Sequence, residues 1–234
     1  YYLLTLVEYP AVLLDRMGLI DIRSEISYAV LYVLLRFVSV LMGTGTVLLA
    51  YACGRELFDR RSAVFAALIA ALGLPGAITV GFSGVPITLQ TLGVILAGAI
   101  LGARKGTAAV TVFIALTLIG LPLLSGGRTG LTALAGPSAG YLIGWIPAAF
   151  VIGLLTARIL PKYPLALGLL INALGGIVVI YVFGTIGLLL RTDLAVWASI
   201  STNFAFVPGD LAKVVIATVV AKSVHRAYPG LITK

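Results

Sequence analysis

The feature that most constrains this chain is a series of long, unbroken apolar runs. Several are roughly 16 to 26 residues long, the length of helix that crosses the hydrocarbon core of a bilayer. Hydrophobic residues make up 61% of the 234 residues, charged residues only 10%, and the mean hydropathy is +1.15. The runs are continuous and contain glycine and proline, which is typical of helix bundles and not of β-barrels. We therefore predict an all-α, polytopic membrane helix bundle in the cell membrane.

Composition excludes several classes of protein. The sequence has one cysteine, Cys53, and one histidine, His225, so we expect no disulfide framework, no metal site and no cofactor. In a chain this apolar, the net charge of +8 indicates basic loops that face anionic membrane lipid, and we expect no nucleic-acid partner. The phosphate-binding pattern G-x-x-x-x-G-K-S/T does not occur, so the chain itself is not predicted to use ATP.

Basic residues are distributed unevenly over the connections between the apolar runs. One set of alternate connections, with the C-terminal tail, holds Arg55, Arg60, Arg61, Arg104, Lys105, Arg158, Lys162, Lys222, Arg226 and Lys234, whereas the opposite connections hold mainly Arg16, Arg23, Arg128 and Arg191. Because cytoplasmic loops carry an excess of Lys and Arg, the larger set and the C-terminus are predicted to be cytoplasmic. Arg128 then lies on the outer side, with the start of the last helix.

Two charged residues stand at the start of the last apolar run. Asp210 and Lys213 are three residues apart, so a helix places both side chains on one face. Ionisable groups within membrane helices are costly and usually have a function. Together with Arg128 and the positive end of a helix that begins near Pro208, they form a site with surplus positive potential. Such a site suits a small carboxylate-bearing ligand.

Neutral groups that could complete this site occur in three other segments: Thr88, Gln90 and Thr91 in the first, Tyr141 in the second, and Asn172 in the third. An apolar pocket with a few polar groups is typical of small-molecule sites. A second interpretation stays open at this point. Asp210 could be a first-turn acid favoured by the helix dipole, with Lys213 paired to it or reaching toward water. The two amides could simply join neighbouring helices.

Four motifs occur in order along the chain: Val85–Leu92, the glycine-rich Leu121–Arg128, Ala135–Gly144 and Pro208–Lys213. Together they resemble the BioY family, the membrane-embedded substrate-binding S components of energy-coupling-factor biotin transporters. The resemblance covers about residues 63–234 and implies a six-helix core, a transporter and not an enzyme, and biotin as the substrate, bound near the outer face. It implies that Arg128, Asp210 and Lys213 belong to the biotin site, where the cations would meet the carboxylate of biotin. The partners it implies are a transmembrane coupling subunit and two ATPase subunits.

The N-terminal part of the chain, residues 1–62, does not resemble that family. Residues 28–67 are similar to two early helices of protein mannosyltransferase-like membrane glycosyltransferases, without the acidic loop that holds the catalytic carboxylates of those enzymes. We therefore expect one or two extra transmembrane helices in residues 1–62, no glycosyl transfer, and a biotin-binding domain at residues 63–234. A natural fusion, a misjoined gene model and a designed chimera all remain open. The alternative function is that of a glycosyltransferase-related or structural membrane protein without transport activity.

Small residues recur on one face of the first helix of the predicted biotin-binding domain, and they are Ala63, Ala66, Ala67, Ala70 and Ala71. Small side chains let membrane helices approach closely. This face could therefore pack against the coupling subunit or inside the bundle itself. The extra N-terminal helices could obstruct packing against the coupling subunit.

Overall fold

The computed structural model describes residues 43–45, 47–56, 59–74, 78–79 and 85–232 of the chain. The chain divides into two compact units, Tyr1–Gly45 and Thr46–Lys234, and the second holds nearly all of the described residues. The predicted extra N-terminal transmembrane helices fall mainly on residues outside the described ranges. The predicted domain boundary between residues 62 and 63 stays a prediction.

The second unit consists almost entirely of helices. In chain order they are α1 Arg60–Ala71, α2 Gln90–Leu118, α3 Gly130–Ala135, α4 Ala139–Ile159, α5 Leu165–Arg191, α6 Val196–Thr202 and α7 Val207–Ala227. Residues 47–56 are also helical. Between α1 and α2, the two-residue strands β1 Ile78–Thr79 and β2 Pro86–Ile87 pair in antiparallel fashion, with Ile78 opposite Ile87. Apart from this short hairpin, the prediction of an all-α bundle is confirmed.

The helical stretch α2 is two helices that meet at Gly102. This glycine has φ 80° and ψ −178°, a conformation that residues with a Cβ rarely adopt. A Cβ added to Gly106 would lie 2.5 Å from the carbonyl oxygen of Ala97, although along a straight helix the two residues would be about 13 Å apart. The two arms of α2 therefore fold back on each other, with the turn close to the predicted basic connection.

Several helices are long and apolar enough to cross a membrane. Within the described ranges these are α2, α4 and α5, and a fourth span results if Val196–Ala205 and α7, bent by 53°, are taken together. When α2 is counted as its two arms, the described part of the chain has six main helices: α1, the two arms of α2, α4, α5 and α7. Pro208 stands in the first turn of α7, where a missing backbone N–H costs least.

The helix α5 approaches its neighbours closely through a π-helical turn at Leu174–Val179. Gly175 and Gly176 lie in this turn. A Cβ on Gly175 would overlap Ile152 of α4, and one on Gly176 would lie 2.5 Å from Ile95 of α2. The turn therefore places the backbone of α5 directly against two other helices in the core.

The turn of α2, the start of α1 and the last turns of α7 meet at one end of the bundle. Lys105 Nζ lies 3.1 Å from Asp59 Oδ2, and Ser62 Oγ donates a 3.3 Å hydrogen bond to the Lys105 carbonyl. His225 Nε2 lies 2.8 Å from the carbonyl oxygen of Ala99. The end of α4 lies there too, since Ala157 and Leu160 border the same small cavity as His225. We call this the basic end, because these segments carry Arg60, Arg61, Arg104, Lys105, Arg158 and Arg226.

The alanine face of α1 is mostly packed within the chain. Ala63, Ala66, Ala67 and Ala70 are buried. A Cβ on Gly54, in the helical segment 47–56, would lie 2.8 Å from Cα of Ala63. These contacts therefore favour the interpretation that the alanine face packs inside the chain itself.

Replacing Gly102 by alanine should destabilise the bundle by about 1–3 kcal/mol, because the positive φ disfavours any residue with a Cβ. The new Cβ would also lie 3.0 Å from Ile232 Cγ2. The matched control is Gly136→Ala, since Gly136 has φ −106° and its Cβ would make only ordinary contacts. Thermal unfolding in detergent measures both, and an equal midpoint for the two variants would contradict the hairpin geometry.

Candidate ligand-binding site

A cavity lies at the end of the bundle opposite the basic end. Its walls come from β2, the starts of α2, α4 and α7, the middle of α5, and the loop between α2 and α3. Its volume is about 620 Å³, including the opening to solvent. Its lining is mostly apolar with a few polar side chains, which is typical of small-molecule sites.

Seven of the eight predicted site residues line this cavity, namely Thr88, Gln90, Thr91, Arg128, Tyr141, Asp210 and Lys213. The structure thus brings together side chains that are far apart in sequence. The remaining wall is largely apolar and includes Leu124, Leu142, Trp145, Ile180 and Phe206. No group of three or more His, Cys, Asp or Glu side chains among the described residues could hold a metal ion.

Asp210 and Lys213 form a buried ion pair on the first turns of α7. Lys213 Nζ lies 2.7 Å from Asp210 Oδ1, and the side chains are only 7% and 9% exposed. The pair is held from two other helices, because Lys213 donates a 2.9 Å hydrogen bond to Thr91 Oγ1 of α2, and Tyr181 of α5 donates one of 2.7 Å to Asp210 Oδ2. The pair is therefore a neutral, hydrogen-bonded unit.

The ion pair has hydrogen-bonding positions that its contacts within the chain do not use. An ammonium has three N–H donors, and Lys213 uses two of them on Asp210 and Thr91. Each oxygen of the Asp210 carboxylate can accept more than the one hydrogen bond that it receives. The unit can therefore offer one donor and two acceptor positions to a neutral polar ligand group.

Arg128 approaches the cavity from the loop between α2 and α3. The loop turns through Gly126 and Gly127, whose φ values are 77° and 69°, and is closed by hydrogen bonds of 3.1 and 3.2 Å between the backbones of Leu124 and Arg128. The Arg128 Nε donates a 3.4 Å hydrogen bond to the Ser125 carbonyl. Burial lowers the pKa of the Arg128 guanidinium, but arginine stays protonated in proteins.

The charge balance of the cavity depends on Arg128. In the part of the chain that the structure describes, no carboxylate lies within 4.0 Å of its guanidinium, whereas Lys213 is neutralised by Asp210. The sequence predicted two cations and one anion in the site. The geometry assigns the excess positive charge to Arg128.

Gln90 lines the cavity but uses its amide to hold the loop that carries Arg128. Its Nε2 donates hydrogen bonds to the carbonyls of Ile69, at 3.2 Å, and Leu123, at 2.9 Å, and its Oε1 accepts one of 3.0 Å from the Ser125 N–H. Thr88 Oγ1 accepts a 3.2 Å hydrogen bond from the Gln90 N–H. These two side chains therefore position the start of α2 and the Arg128 loop.

Tyr141 connects the wall of the cavity to the segment that leads into α7. Its hydroxyl donates a 2.7 Å hydrogen bond to Asn203 Oδ1, and Asn203 Nδ2 donates one of 2.9 Å to Thr185 Oγ1. A Cβ on Gly184 would overlap the Tyr141 ring, so glycine at that position makes room for it. This chain of hydrogen bonds orients α7 and the ion pair at its start.

Asn172 does not lie among the residues that line the cavity. Its Nδ2 donates hydrogen bonds to Tyr163 OH, at 3.3 Å, and to Thr218 Oγ1, at 2.9 Å. Asn172 therefore joins α5 to α7 and to the turn before α5. This matches the second interpretation of the two amides, in which they join neighbouring helices.

Three cavity residues with polar side-chain atoms were missed by the sequence-based prediction of the site: Ser138, just before α4, and the aromatic residues Tyr181 and Trp145. The two aromatic residues lie inside apolar runs, where such residues usually only fill the core. The one signal for Tyr181 is a hydroxyl deep in a predicted span, where it needs a partner. The sequence does not show that this partner is Asp210.

Comparisons with known proteins agree with this architecture. A solved crystal structure, that of the S-component for biotin from an ECF-type ABC transporter, is similar to this chain with a TM-score of 0.68 and 36% sequence identity, over 71% of this chain and 89% of that one. The biotin transporter BioY of Rhodobacter capsulatus is 49% identical over 177 residues, which cover 71% of this chain and 92% of the relative. The biotin transporter BioY of Thermotoga maritima is 36% identical over 163 residues, 69% of this chain and 94% of the relative.

The sequence pattern of the BioY family matches residues 54–230. This match spans most of the chain and all of the cavity-lining residues. The relatives are transporters, and the family is not one of enzymes. The chain is thus a multi-pass membrane protein that belongs to the BioY family.

Proposed function

We propose that this chain binds biotin in the cavity described above and takes the vitamin up across the membrane. The observation that carries the proposal is the charge balance of the cavity, in which apolar walls enclose a neutral Asp210–Lys213 unit and the Arg128 guanidinium, which has no carboxylate of the described residues within 4.0 Å. The relatives named as biotin transporters and the similar S-component for biotin support the same ligand. None of them supports the alternative of a glycosyltransferase-related or structural protein.

Biotin offers two polar ends that match two parts of the cavity. Its carboxylate is ionised at neutral pH, and we assign it to the Arg128 guanidinium, the cation without a partner carboxylate in the described ranges. Its ureido ring has two N–H donors and one carbonyl acceptor. These complement the free acceptor positions of Asp210 and the remaining donor of Lys213.

The remaining cavity residues divide into two roles. The apolar ring and chain of biotin would pack against Trp145, Phe206 and Leu142, while Tyr141, Thr88 and Gln90 hold the walls in place. For Asn172 we propose a structural role, because its amide joins α5 to α7 outside the cavity.

Uptake requires an energy source, and the sequence does not contain the nucleotide-binding pattern G-x-x-x-x-G-K-S/T. We propose that a transmembrane coupling subunit with two ATPase subunits supplies it, as the similarity to a component of an ECF-type ABC transporter supports. The excess of Lys and Arg supports a cytoplasmic basic end and C-terminus. The cavity would then face the outside.

Purified protein should bind biotin saturably, and Arg128→Gln should weaken binding about 10- to 100-fold, because a hydrogen bond to a charged group contributes roughly 1.5–3 kcal/mol. Tryptophan fluorescence can report binding in a Trp197→Phe background, which leaves Trp145 of the cavity wall as the single tryptophan.

The matched control for this titration is Arg191→Gln, since Arg191 is an exposed arginine at the same end of the bundle and outside the cavity. Its affinity for biotin should equal that of the parent protein. A parent protein without saturable signal would refute biotin binding, and equal affinities of the two arginine variants would refute the role of Arg128.

Removing one partner of the ion pair should cost stability as well as affinity. Lys213→Ala leaves a buried carboxylate unpaired, which is expected to cost about 3–5 kcal/mol of unfolding free energy. The double variant Asp210→Asn/Lys213→Ala should recover much of that stability, because no buried charge remains, without recovering biotin affinity. Stability losses that simply add across the single and double variants would show that the pair is not coupled.

A further inference from the structure

A second, larger groove lies at the basic end, between α1, the first arm of α2 and the residues after α7. Its volume is about 1,310 Å³, including open space at its mouth. The groove is lined by Val64, Phe65, Ile100, Leu101 and Val224, and by the chain at Tyr228–Leu231. It is separate from the biotin cavity, because the two share no residue.

The charged side chains of this groove are Arg60 and Arg61. Both are exposed, and no carboxylate of the described residues lies within 4.0 Å of either guanidinium. The neighbouring Asp59 is engaged elsewhere, with Lys105 Nζ at 3.1 Å and the Ser62 N–H at 3.0 Å. The groove therefore combines an apolar wall with two positive charges that are not neutralised by those carboxylates.

The position of these arginines is unfavourable for the helix itself. They occupy the first turn of α1, where the helix dipole favours acidic residues and disfavours cations. The stability of α1 thus does not explain two arginines at this place. They belong to the excess of Lys and Arg at the predicted cytoplasmic end, and in the groove they are available to an anionic ligand.

The chemistry of the groove points to an amphiphilic anion. A free phosphate would use the guanidinium groups and leave the apolar wall without a role. A phospholipid uses both, because its phosphate meets the arginines and an acyl chain covers Val64 and Phe65. Tyr228 is 67% exposed at the rim, and exposed tyrosines in membrane proteins are enriched at the level of the lipid headgroups.

The geometry points to a binding site for one anionic phospholipid in this groove, with the phosphate on Arg60 and Arg61 and an acyl chain along α1. Basic pockets between helices at the cytoplasmic side of membrane proteins bind anionic headgroups. The site lies at the end of the bundle that the charge bias assigns to the cytoplasm, where anionic lipid is expected to interact with basic residues.

Native mass spectrometry of the full chain in detergent, with phosphatidylglycerol or phosphatidylcholine added at equal concentration, tests this site. The parent protein should retain one phosphatidylglycerol in preference to phosphatidylcholine. Arg60→Gln/Arg61→Gln should weaken that binding by roughly 30-fold, the loss expected for two basic residues. The control Arg104→Gln/Arg158→Gln removes the same charge from exposed positions outside the groove and should bind as the parent does.

Four results would overturn the proposal. They are equal lipid retention by the two double variants, no preference for the anionic lipid, displacement of the lipid by millimolar inorganic phosphate, and unchanged lipid retention with loss of binding to the coupling proteins. The last result would identify the groove as a protein-docking surface. Biotin affinity should be unchanged in both double variants, so a failure here is distinguishable from a failure of the biotin site.

Discussion

The buried ion pair between Asp210 and Lys213 is the interaction on which the arrangement of the cavity depends. Either charge alone would be strongly destabilising at this depth, because desolvation of an unpaired ion costs several kcal/mol. Together they form a neutral unit that Thr91 holds from α2 and Tyr181 holds from α5. Three helices are thereby fixed at one end of the bundle. The cavity lies between them, so the pair contributes to the shape of the site as well as to its charge.

The neutrality of the pair gives Arg128 its role. Without the Asp210 carboxylate, the cavity would hold two excess positive charges, and a monoanionic ligand would leave one of them without compensation. With the pair formed, the Arg128 guanidinium is the cavity cation that no carboxylate of the described residues neutralises, and one ligand carboxylate would balance it. The start of α2 connects the two parts, because Gln90 anchors the Arg128 loop through three hydrogen bonds and its neighbour Thr91 accepts one from Lys213. A shift of this turn would therefore disturb both charged groups together.

Much of this could be predicted from the sequence, because membrane helices and charged groups give strong local signals. The apolar runs predicted the bundle, and the spacing of Asp210 and Lys213 placed both on one face of α7. The contrast between Asn172 and Tyr181 shows where sequence information ends. They are nine residues apart in one apolar run, which places them about half a turn apart in an ideal helix. The hydrophobic periodicity of the run does not tell which face of the helix meets the cavity. The π-helical turn between the two residues also changes the angle between their side chains around the helix axis. The 53° bend before α7 was also beyond prediction, because the connection from residue 191 to residue 205 is mixed in polarity.

The most direct test of this account compares biotin with its methyl ester, which keeps the ring and chain but has no ionised carboxylate. If Arg128 alone balances the ligand charge, the parent protein should bind biotin about 10- to 100-fold more tightly than the ester. The Arg128→Gln variant should bind the two compounds about equally. The same preference for biotin in both proteins would show that another group binds the carboxylate. It would contradict the assignment of the ligand charge to Arg128.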